Sequence, residues 1–466
     1  MEQSYIPYVG SFLWISLMLL VGTVLRAKVK LFQKFLFPAS IIGGVLGFIL
    51  MSLGWVGLPV AGEWQAIPTS TFTLVTGHLF AFGFVGIGLI SGDASQKGNG
   101  KEIIKGAIWM ALVFHVVIYL QSVLGTFTML GWEAVTGQGL TSAVGFLAGH
   151  GFTQGPGQTL AIAAGWEKMG LTDCVSIGLA FSAVGFFVAA LVGVPLANWG
   201  IRKGYTTHAA TSMSPAFLAG VEEKGSKVSG MNHITSNANV DSLSYHLAIM
   251  GVVYMVAYGI GYVMRYFLLP KSLWGLGFGF MFLWGLLAAM LFRKILNISG
   301  KGHMVDENSL RRLAGVTVDF MIISVMMAVK VDTLHKYLVP FLLISVLLTV
   351  VTPAVIMFFA RKLDKFSFER AMVMLGYCTG TGASGLLLLR LVDPEFKTTA
   401  AVETGLMNLF ALVTLPFLFI IFLMPQYGIP YLIKLELGLG GAALVILLVM
   451  HKTGMLGSKS SGSSAS

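Results

Sequence analysis

Two glycine-rich polar segments interrupt apolar sequence that is long enough to cross a membrane. The first is Gly149–Thr159, which reads GHGFTQGPGQT, and the second is Gly376–Gly385, which reads GYCTGTGASG. Backbone that leaves helical geometry within a bilayer has N–H and C=O groups that no water satisfies, so it persists only where protein buries it or where it lines a wet cavity. Paired interruptions in two halves of a chain are typical of binding sites in membrane carriers.

The composition places the chain among polytopic membrane proteins. Of its 466 residues, 56% are hydrophobic and 11% are charged, against about 25% charged residues in ordinary soluble domains. Segments that cross a bilayer form helices or closed barrels, and the length of the apolar runs predicts an all-α protein. The formal net charge is +10, but the basic residues lie in loops beside apolar runs. We therefore expect the lipid bilayer, and no nucleic acid, as a partner.

Eleven apolar runs have about the 20 residues that a helix needs to cross the hydrocarbon. They are 8–26, 37–55, 73–92, 103–130, 173–200, 243–269, 273–297, 313–331, 337–360, 400–424 and 430–450. The two glycine-rich segments lie near 140–166 and 371–391, and we interpret each of these stretches as a re-entrant hairpin.

The basic residues predict the orientation. Most of the 30 Lys and Arg residues fall on one side of the membrane if the N-terminus is outside and the C-terminus is cytoplasmic. This bias is typical of cytoplasmic loops, and we expect the chain in the inner (plasma) membrane as a multi-pass protein. Five crossings and one hairpin precede the polar linker, five crossings and one hairpin follow it, and the span 430–450 is left over. Because the number of crossings in each set is odd, the second set is inverted. The predicted parts are an N-terminal repeat at 1–200, a cytoplasmic linker at 201–242, a C-terminal repeat at 243–424, an extra helix at 425–451 and a disordered tail at 452–466.

A helix that is broken inside the membrane offers two kinds of binding group. Its N-terminal N–H groups carry partial positive charge and suit a carboxylate, whereas its freed carbonyls and nearby hydroxyls suit Na⁺. Glycine allows the sharp turn and the close approach of a ligand to the backbone. We therefore predict that the substrate is a small anion and that the hairpins bind it. The candidate residues are His150, Gly151, Thr153, Gln154, Gly155, Gly157, Gln158, Thr379, Gly380, Thr381, Gly382, Ser384 and Arg390.

Two polar residues in the predicted spans extend the candidate site for the cation. Asp319 lies within 313–331, and a carboxylate inside a membrane is costly and usually functional. Asn408 lies deep enough in 400–424 to reach a cavity. With Thr153 and Thr379 they are the predicted ligands of a coupling Na⁺. For Asp319, and for Arg390 among the substrate candidates, extension of the side chain to the membrane interface is the alternative.

The sequence predicts no enzyme and no cofactor besides the coupling ion. No spacing of His, Cys or carboxylate residues indicates another metal site, no nucleophile is paired with a base, and no Walker A sequence indicates a nucleotide-driven pump. An ion channel is a competing class, since opposed half-helices also build channels. A Na⁺- or H⁺-coupled carrier of di- or tricarboxylates is the nearest alternative.

Several short motifs, in this order, resemble those of the sodium/glutamate symporter family over residues 8–424. They are Pro38–Gly44 (PASIIGG), Gly86–Leu89 (GIGL), Gly149–Gly157, Met326–Lys330 (MMAVK) and Gly376–Gly380. The resemblance implies two inverted five-helix repeats, a scaffold part, a mobile part that carries the hairpins, a homodimer, and Na⁺-coupled uptake of glutamate by alternating access. Three features depart from the family pattern: the first hairpin is less compact, Asp319 replaces a small polar residue, and 430–450 is an added span.

Overall fold

The structure is a computed structural model that describes residues 2–60, 62–90, 100–208, 215–221, 234, 239–411 and 415–456. These residues are mostly helical, which confirms the prediction of an all-α polytopic membrane protein. Large parts of the predicted linker 201–242 and most of the predicted tail 452–466 lie outside the described residues. The inverted repeats and the re-entry of the hairpins into the membrane stay predictions.

Eight helices in these ranges are long and apolar enough to cross a membrane. They are Ile6–Lys28, Thr69–Leu89, Gly100–Thr136, Cys174–Arg202, Ser242–Leu268, Met281–Ile298, Leu338–Ala360 and Ile429–Lys452. The other three predicted crossings are not matched by such a helix among the described residues. Run 37–55 contains the 14-residue helix Ala39–Ser52, run 313–331 overlaps Glu307–Ala328, and run 400–424 contains Ala400–Ala411 and Leu415–Phe422. For these three, a full crossing stays a prediction.

The chain divides into two compact units, and each unit takes segments from both halves of the sequence. The first unit comprises Met1–Ser91, Leu160–Lys168 and Ser214–Val331, and the second comprises Gly92–Thr159, Met169–Met213 and Asp332–Ser466. Both glycine-rich interruptions lie in the second unit. The helix Pro156–Lys168 begins in the second unit and continues into the first.

The first unit contains a short hairpin of strands and a set of closely packed helices. Its strands Gly57–Val60 and Glu63–Ala66 pair antiparallel. Its helices are Glu2–Lys28, Lys30–Lys34, Ala39–Ser52, Thr69–Leu89, Pro215–Ala219, Ser242–Val263, Met264–Leu268 (π), Lys271–Leu273 (3₁₀), Trp274–Gly279, Met281–Ile298, Gly302–Met304 (3₁₀) and Glu307–Ala328.

Local sequence explains where several of these helices begin. Pro38 and Pro68 each precede a helix. Proline is tolerated at the start of a helix because the N–H that it lacks would have no partner within the helix there. The Asp241 and Asp306 carboxylates accept hydrogen bonds from the first-turn N–H groups of the helices that follow them. Gly44 lies against the Met326 side chain, so the helices Ala39–Ser52 and Glu307–Ala328 approach closely.

The second unit is organised around the long helix Gly100–Thr136. Its other helices are Val144–Gly149, His150–Gln154 (π), Cys174–Val188, Ala189–Gly193 (π), Val194–Arg202, Leu338–Ala360, Ser367–Tyr377, Gly382–Val392, Ala400–Ala411, Leu415–Phe422, Met424–Tyr427 and Ile429–Lys452. The long helix packs against Val144–Gly149, Ala400–Ala411 and Ile429–Lys452. Gly125 and Gly145 face each other at the first of these contacts, where two β-carbons would not fit.

Candidate functional site

The first interruption is a break between two helices. The helix Val144–Gly149 is followed by a π-helical turn, His150–Gln154, and then by Gly155 with φ 76° and ψ −173°. This backbone conformation is essentially limited to glycine, because a β-carbon would collide with the neighbouring peptide groups. A new helix begins at Pro156, whose fixed φ suits a first helical turn. Gly155 and Pro156 therefore place the break and the new helix start at adjacent positions.

The second interruption is a tight turn between two packed helices. The helix Ser367–Tyr377 ends at the turn 378–381, and the helix Gly382–Val392 begins after it. A β-carbon built on Gly376 would lie 2.5 Å from the Cα atom of Gly385. The two helices can therefore approach at the turn only because both positions are glycine.

The two interruptions contact each other within the second unit. A β-carbon built on Gly155 would lie 3.3 Å from the carbonyl oxygen of Gly380 and 3.6 Å from Cγ2 of Thr381. Gly185, on a neighbouring helix, approaches the Thr379 carbonyl in the same way, at 2.6 Å. The structure thus brings together two segments that lie far apart in the sequence.

Gln121 joins the two interruptions by hydrogen bonds. The Thr153 hydroxyl donates to Oε1 of Gln121 at 2.6 Å, and Nε2 of Gln121 donates to the carbonyl oxygen of Cys378 at 3.1 Å. The Thr153 hydroxyl is also 3.2 Å from the Cys378 carbonyl, and Nε2 of Gln121 donates to the Thr352 hydroxyl at 2.8 Å. Sequence reasoning missed Gln121. Its signal was that it is the single amide side chain in the apolar run 103–130.

Two helices begin at this meeting point. The helix Pro156–Lys168 has 13 residues and Gly382–Val392 has 11, and both start where the interruptions touch. Thr381 precedes the second helix without forming a side-chain cap, and its hydroxyl oxygen is buried with no hydrogen-bond partner among the described residues. Oε1 of Gln158 is likewise buried and unpartnered within that part of the chain. Two helix N-termini and two buried polar atoms therefore lie in the region where the sequence predicts the ligand.

The other predicted hairpin residues lie around these breaks, mostly in local contacts. The Thr379 hydroxyl donates to the Leu375 carbonyl at 2.6 Å, and Nδ1 of His150 is 2.5 Å from Oε1 of Gln154. Gly157 is buried. Further local contacts place Gly151 against Gly178 and Phe181, Gly380 against Ser384, and Gly382 against Tyr377.

Two predicted residues are not at the breaks, and a third reaches Tyr377 of the second interruption from a neighbouring helix. Arg390 is exposed in the last turn of its helix, with its guanidinium 5.4 Å from the centre of the Phe396 ring. Asn408 is exposed on the helix Ala400–Ala411, where its side chain hydrogen-bonds the Tyr377 hydroxyl. Asp319 belongs to the first unit, where its exposed carboxylate accepts a hydrogen bond from the buried Ser40 hydroxyl at 3.0 Å.

A buried charge cluster holds the beginning of the second interrupted segment. Arg370 is 1% exposed and donates through Nε and Nη2 to both carboxylate oxygens of Glu403, at 2.8 and 2.6 Å. Nη2 also bonds Glu102 at 2.9 Å. Gly106 leaves the room that the Glu403 carboxylate occupies, since a β-carbon there would overlap it. The sequence indicated only that Arg370 lies in a basic loop, because its acidic partners are distant along the chain.

No group of three or more His, Cys, Asp or Glu residues among the described positions has the arrangement of a metal site. The oxygen atoms at the breaks are hydroxyls, amide oxygens and backbone carbonyls, the ligands that hard cations such as Na⁺ prefer.

Comparison with known proteins identifies one relationship. A family model described as sodium/glutamate symporter matches residues 6–387, which is most of the chain. Both glycine-rich segments fall inside the match, and the helix Ile429–Lys452 falls outside it. Neither the curated proteins nor the solved structures include a match to the chain.

Proposed function

Since the chain belongs to the sodium/glutamate symporter family, we propose that it carries L-glutamate and Na⁺ together across the membrane by alternating access. The family is one of transporters, and the chain is a multi-pass membrane protein. The observation that supports the proposal best is the contact between Gly155 and Gly380, because it places two helix N-termini at one point.

The substrate end of the proposal rests on charge and size. Each helix N-terminus has a partial charge of about +0.5 from its unpaired N–H groups, which favours a carboxylate. Glutamate has one carboxylate for each of the two N-termini. The segments at the breaks are rich in glycine, threonine and serine, and the unpartnered oxygen atoms of Thr381 and Gln158 can accept hydrogen bonds from its ammonium group. These features favour a small polar anion over a lipid or an apolar amino acid.

The cation end of the proposal rests on oxygen atoms. The Cys378 carbonyl, the Thr153 hydroxyl and Oε1 of Gln121 lie within one hydrogen-bonded group. We propose that this group contributes to a Na⁺ site, with Thr379 beside it. Asn408, which contacts Tyr377, and Asp319, which lies away from the breaks, remain proposed cation ligands. Asp319 is included because a carboxylate in a membrane segment is rarely without a role.

The membrane arrangement is also proposed. We propose that the chain lies in the inner (plasma) membrane. The bias of Lys and Arg supports an orientation with the N-terminus outside and the C-terminus in the cytoplasm. In that orientation the two interrupted segments enter from opposite faces as parts of inverted repeats, so that each face can reach the site in turn. A homodimer is the expected assembly.

Uptake by the purified protein in liposomes tests this function. An inward Na⁺ gradient should drive accumulation of labelled glutamate, and unlabelled glutamate should compete while leucine competes poorly. Uptake that saturates and exceeds the equilibrium level separates a carrier from a channel. Transport of citrate or another di- or tricarboxylate without glutamate transport would favour the alternative substrate class.

A variant test addresses the site itself. Thr381→Val removes a buried hydroxyl while keeping the size of the side chain, and we expect it to raise the half-saturating glutamate concentration by about tenfold. Thr128→Val is the matched control, since the Thr128 hydroxyl only donates to the Leu124 carbonyl of its own helix. Equal kinetics in both variants would remove Thr381 from the site.

A further inference from the structure

Glu436 is a buried acid in the helix that the family model does not cover. It lies on Ile429–Lys452, which is one of the eight membrane-length helices, and it is 1% exposed. Both of its carboxylate oxygens lack a hydrogen-bond partner of normal geometry, and it forms no ion pair in the described part of the chain. None of the contacts at the two glycine-rich breaks involves this residue.

The groups that interact with Glu436 in the described part of the chain bear hydroxyls. The Ser122 hydroxyl, on the long helix, faces the carboxylate, and the Tyr119 phenol is close enough to interact with it electrostatically. His115 lies one turn before Tyr119 on the same face and is hydrogen-bonded to the Ala111 carbonyl. Two further elements contact this helix. Met424–Tyr427 has Tyr427 as its titratable group, and that side chain is exposed; Leu338–Ala360 contacts the far end of the helix, where Phe359 stacks on His451.

These surroundings suit a proton. An ionised carboxylate that is buried without a counter-charge is costly, and protonation removes the charge without requiring any other group. A sodium ion needs several oxygen ligands besides the carboxylate, whereas the facing groups are two hydroxyls. Ionisable residues inside membrane segments are characteristic of ion and proton pathways.

The position of Glu436 connects it with the first interruption. Ser122 follows Gln121 in the sequence, and a β-carbon built on Gly149 would overlap the Ser122 hydroxyl. The Ser122 hydroxyl is therefore close both to Glu436 and to Gly149 of the first interruption. A change in the charge of Glu436 would act on the helix that holds Thr153 through Gln121.

We propose that Glu436 is a proton-binding site and that transport by this chain depends on its proton as well as on Na⁺. The proton is exchanged with water, so that the acid form and the carboxylate form differ by one H⁺ and no other bond changes. That transport depends on this proton rests on the proposed function, whereas proton binding by Glu436 does not.

Thermal unfolding of the purified protein over a range of pH tests the site without any transport assay. The unfolded chain ionises its glutamates at about pH 4.3. If the folded chain keeps Glu436 protonated, the wild type loses stability as the pH rises above that value, and Glu436→Gln does not have this component of the loss. Glu436→Leu, which also removes the charge, should behave like Glu436→Gln. Parallel pH profiles for the wild type and both variants would overturn the proposal.

Glutamate uptake in liposomes tests the functional part. With equal pH on both sides and a fixed Na⁺ gradient, the wild-type rate should fall above a midpoint by about tenfold for each pH unit, which is the limit for the loss of one proton. Glu436→Gln should make the rate nearly independent of pH over this range. Glu395→Gln is the control, because Glu395 is an exposed acid paired with Lys397, and it should keep the wild-type profile.

The outcomes separate the two proposals. A wild type whose uptake is independent of pH, or a Glu436→Gln variant that keeps the wild-type pH profile, would overturn the proton dependence while leaving Na⁺-driven glutamate transport intact. A wild type that takes up no glutamate would overturn the proposed function, and the unfolding measurement would still decide whether Glu436 binds a proton.

Discussion

The Thr153 hydroxyl donates a hydrogen bond to Oε1 of Gln121 at 2.6 Å, and the two side chains share the Cys378 carbonyl as an acceptor. Thr153 belongs to the first interruption and Cys378 to the second, 225 residues later. A single amide on the long helix therefore fixes the relative position of both breaks. The consequences of removing it, and of changing the groups around it, can be measured.

Gln121→Ala should weaken transport without preventing folding. The change removes one acceptor of the Thr153 hydroxyl and one donor to the Thr352 hydroxyl. Each buried group that is left unsatisfied costs about 1–3 kcal/mol of stability. We expect the half-saturating concentration of Na⁺ or glutamate to rise by about tenfold in liposome uptake. Gln138→Ala, at an exposed position, is the control. Unchanged kinetics for Gln121→Ala would show that its hydrogen bonds to Thr153 and Cys378 are not needed to form the site.

Gly155→Ala should abolish transport. The residue has φ 76° and ψ −173°, a conformation that costs a residue with a β-carbon about 1–3 kcal/mol. The added carbon would also lie 3.3 Å from the Gly380 carbonyl oxygen. Gly137→Ala is the matched control, since Gly137 also has positive φ but has open space around it. If both variants transport glutamate equally well, contact between the breaks is not needed for function.

Asp319→Asn should weaken activation by Na⁺. The change keeps the shape of the side chain and its contact with the Ser40 hydroxyl, but it removes the negative charge. The measurement is the dependence of uptake on Na⁺ concentration, with Asp332→Asn, an exposed acid, as the control. Normal Na⁺ activation in Asp319→Asn would support the alternative that this carboxylate extends to the membrane interface.

Arg370→Met should lower the stability of the folded protein. It leaves the Glu403 carboxylate, which is 0% exposed, without its counter-charge, a loss of about 3–5 kcal/mol for a broken buried pair. Thermal unfolding in detergent measures this effect. Adding Glu403→Gln should restore part of the loss, because a neutral amide needs no counter-charge. Lys397→Met breaks an exposed pair and should leave stability unchanged; an equal loss there would contradict the interpretation.

Cysteine labelling should place the two interrupted segments on opposite faces. In a chain with Cys174 and Cys378 replaced by alanine, Lys168→Cys should react with an impermeant reagent added outside, and Lys397→Cys only after the membrane is opened. Both lysines are exposed in the structure, so the reagent can reach either position from its own face. Labelling of both from the same side would exclude the inverted arrangement of the repeats.

Much of the fold could be predicted from the sequence because the relevant signals are local. Apolar length predicts a membrane helix, and eight of the eleven predicted spans correspond to helices long enough to cross. The ends of the helices were less predictable. Run 37–55 is largely apolar, yet its helix, Ala39–Ser52, ends before the run does, because hydropathy does not specify where hydrogen bonding stops.

The sequence by itself determined that the chain is a helical membrane protein with two broken segments, since glycine, proline and apolar length act through the backbone and its immediate solvent. It also supported the sodium/glutamate symporter resemblance, which the family model confirms. Only the tertiary structure decided that Gly155 meets Gly380, that Gln121 joins the two breaks, that Arg370 pairs with Glu403 and that Glu436 faces Ser122. Such contacts join residues that are tens to hundreds of positions apart, and they depend on how helices pack, which no local pattern specifies.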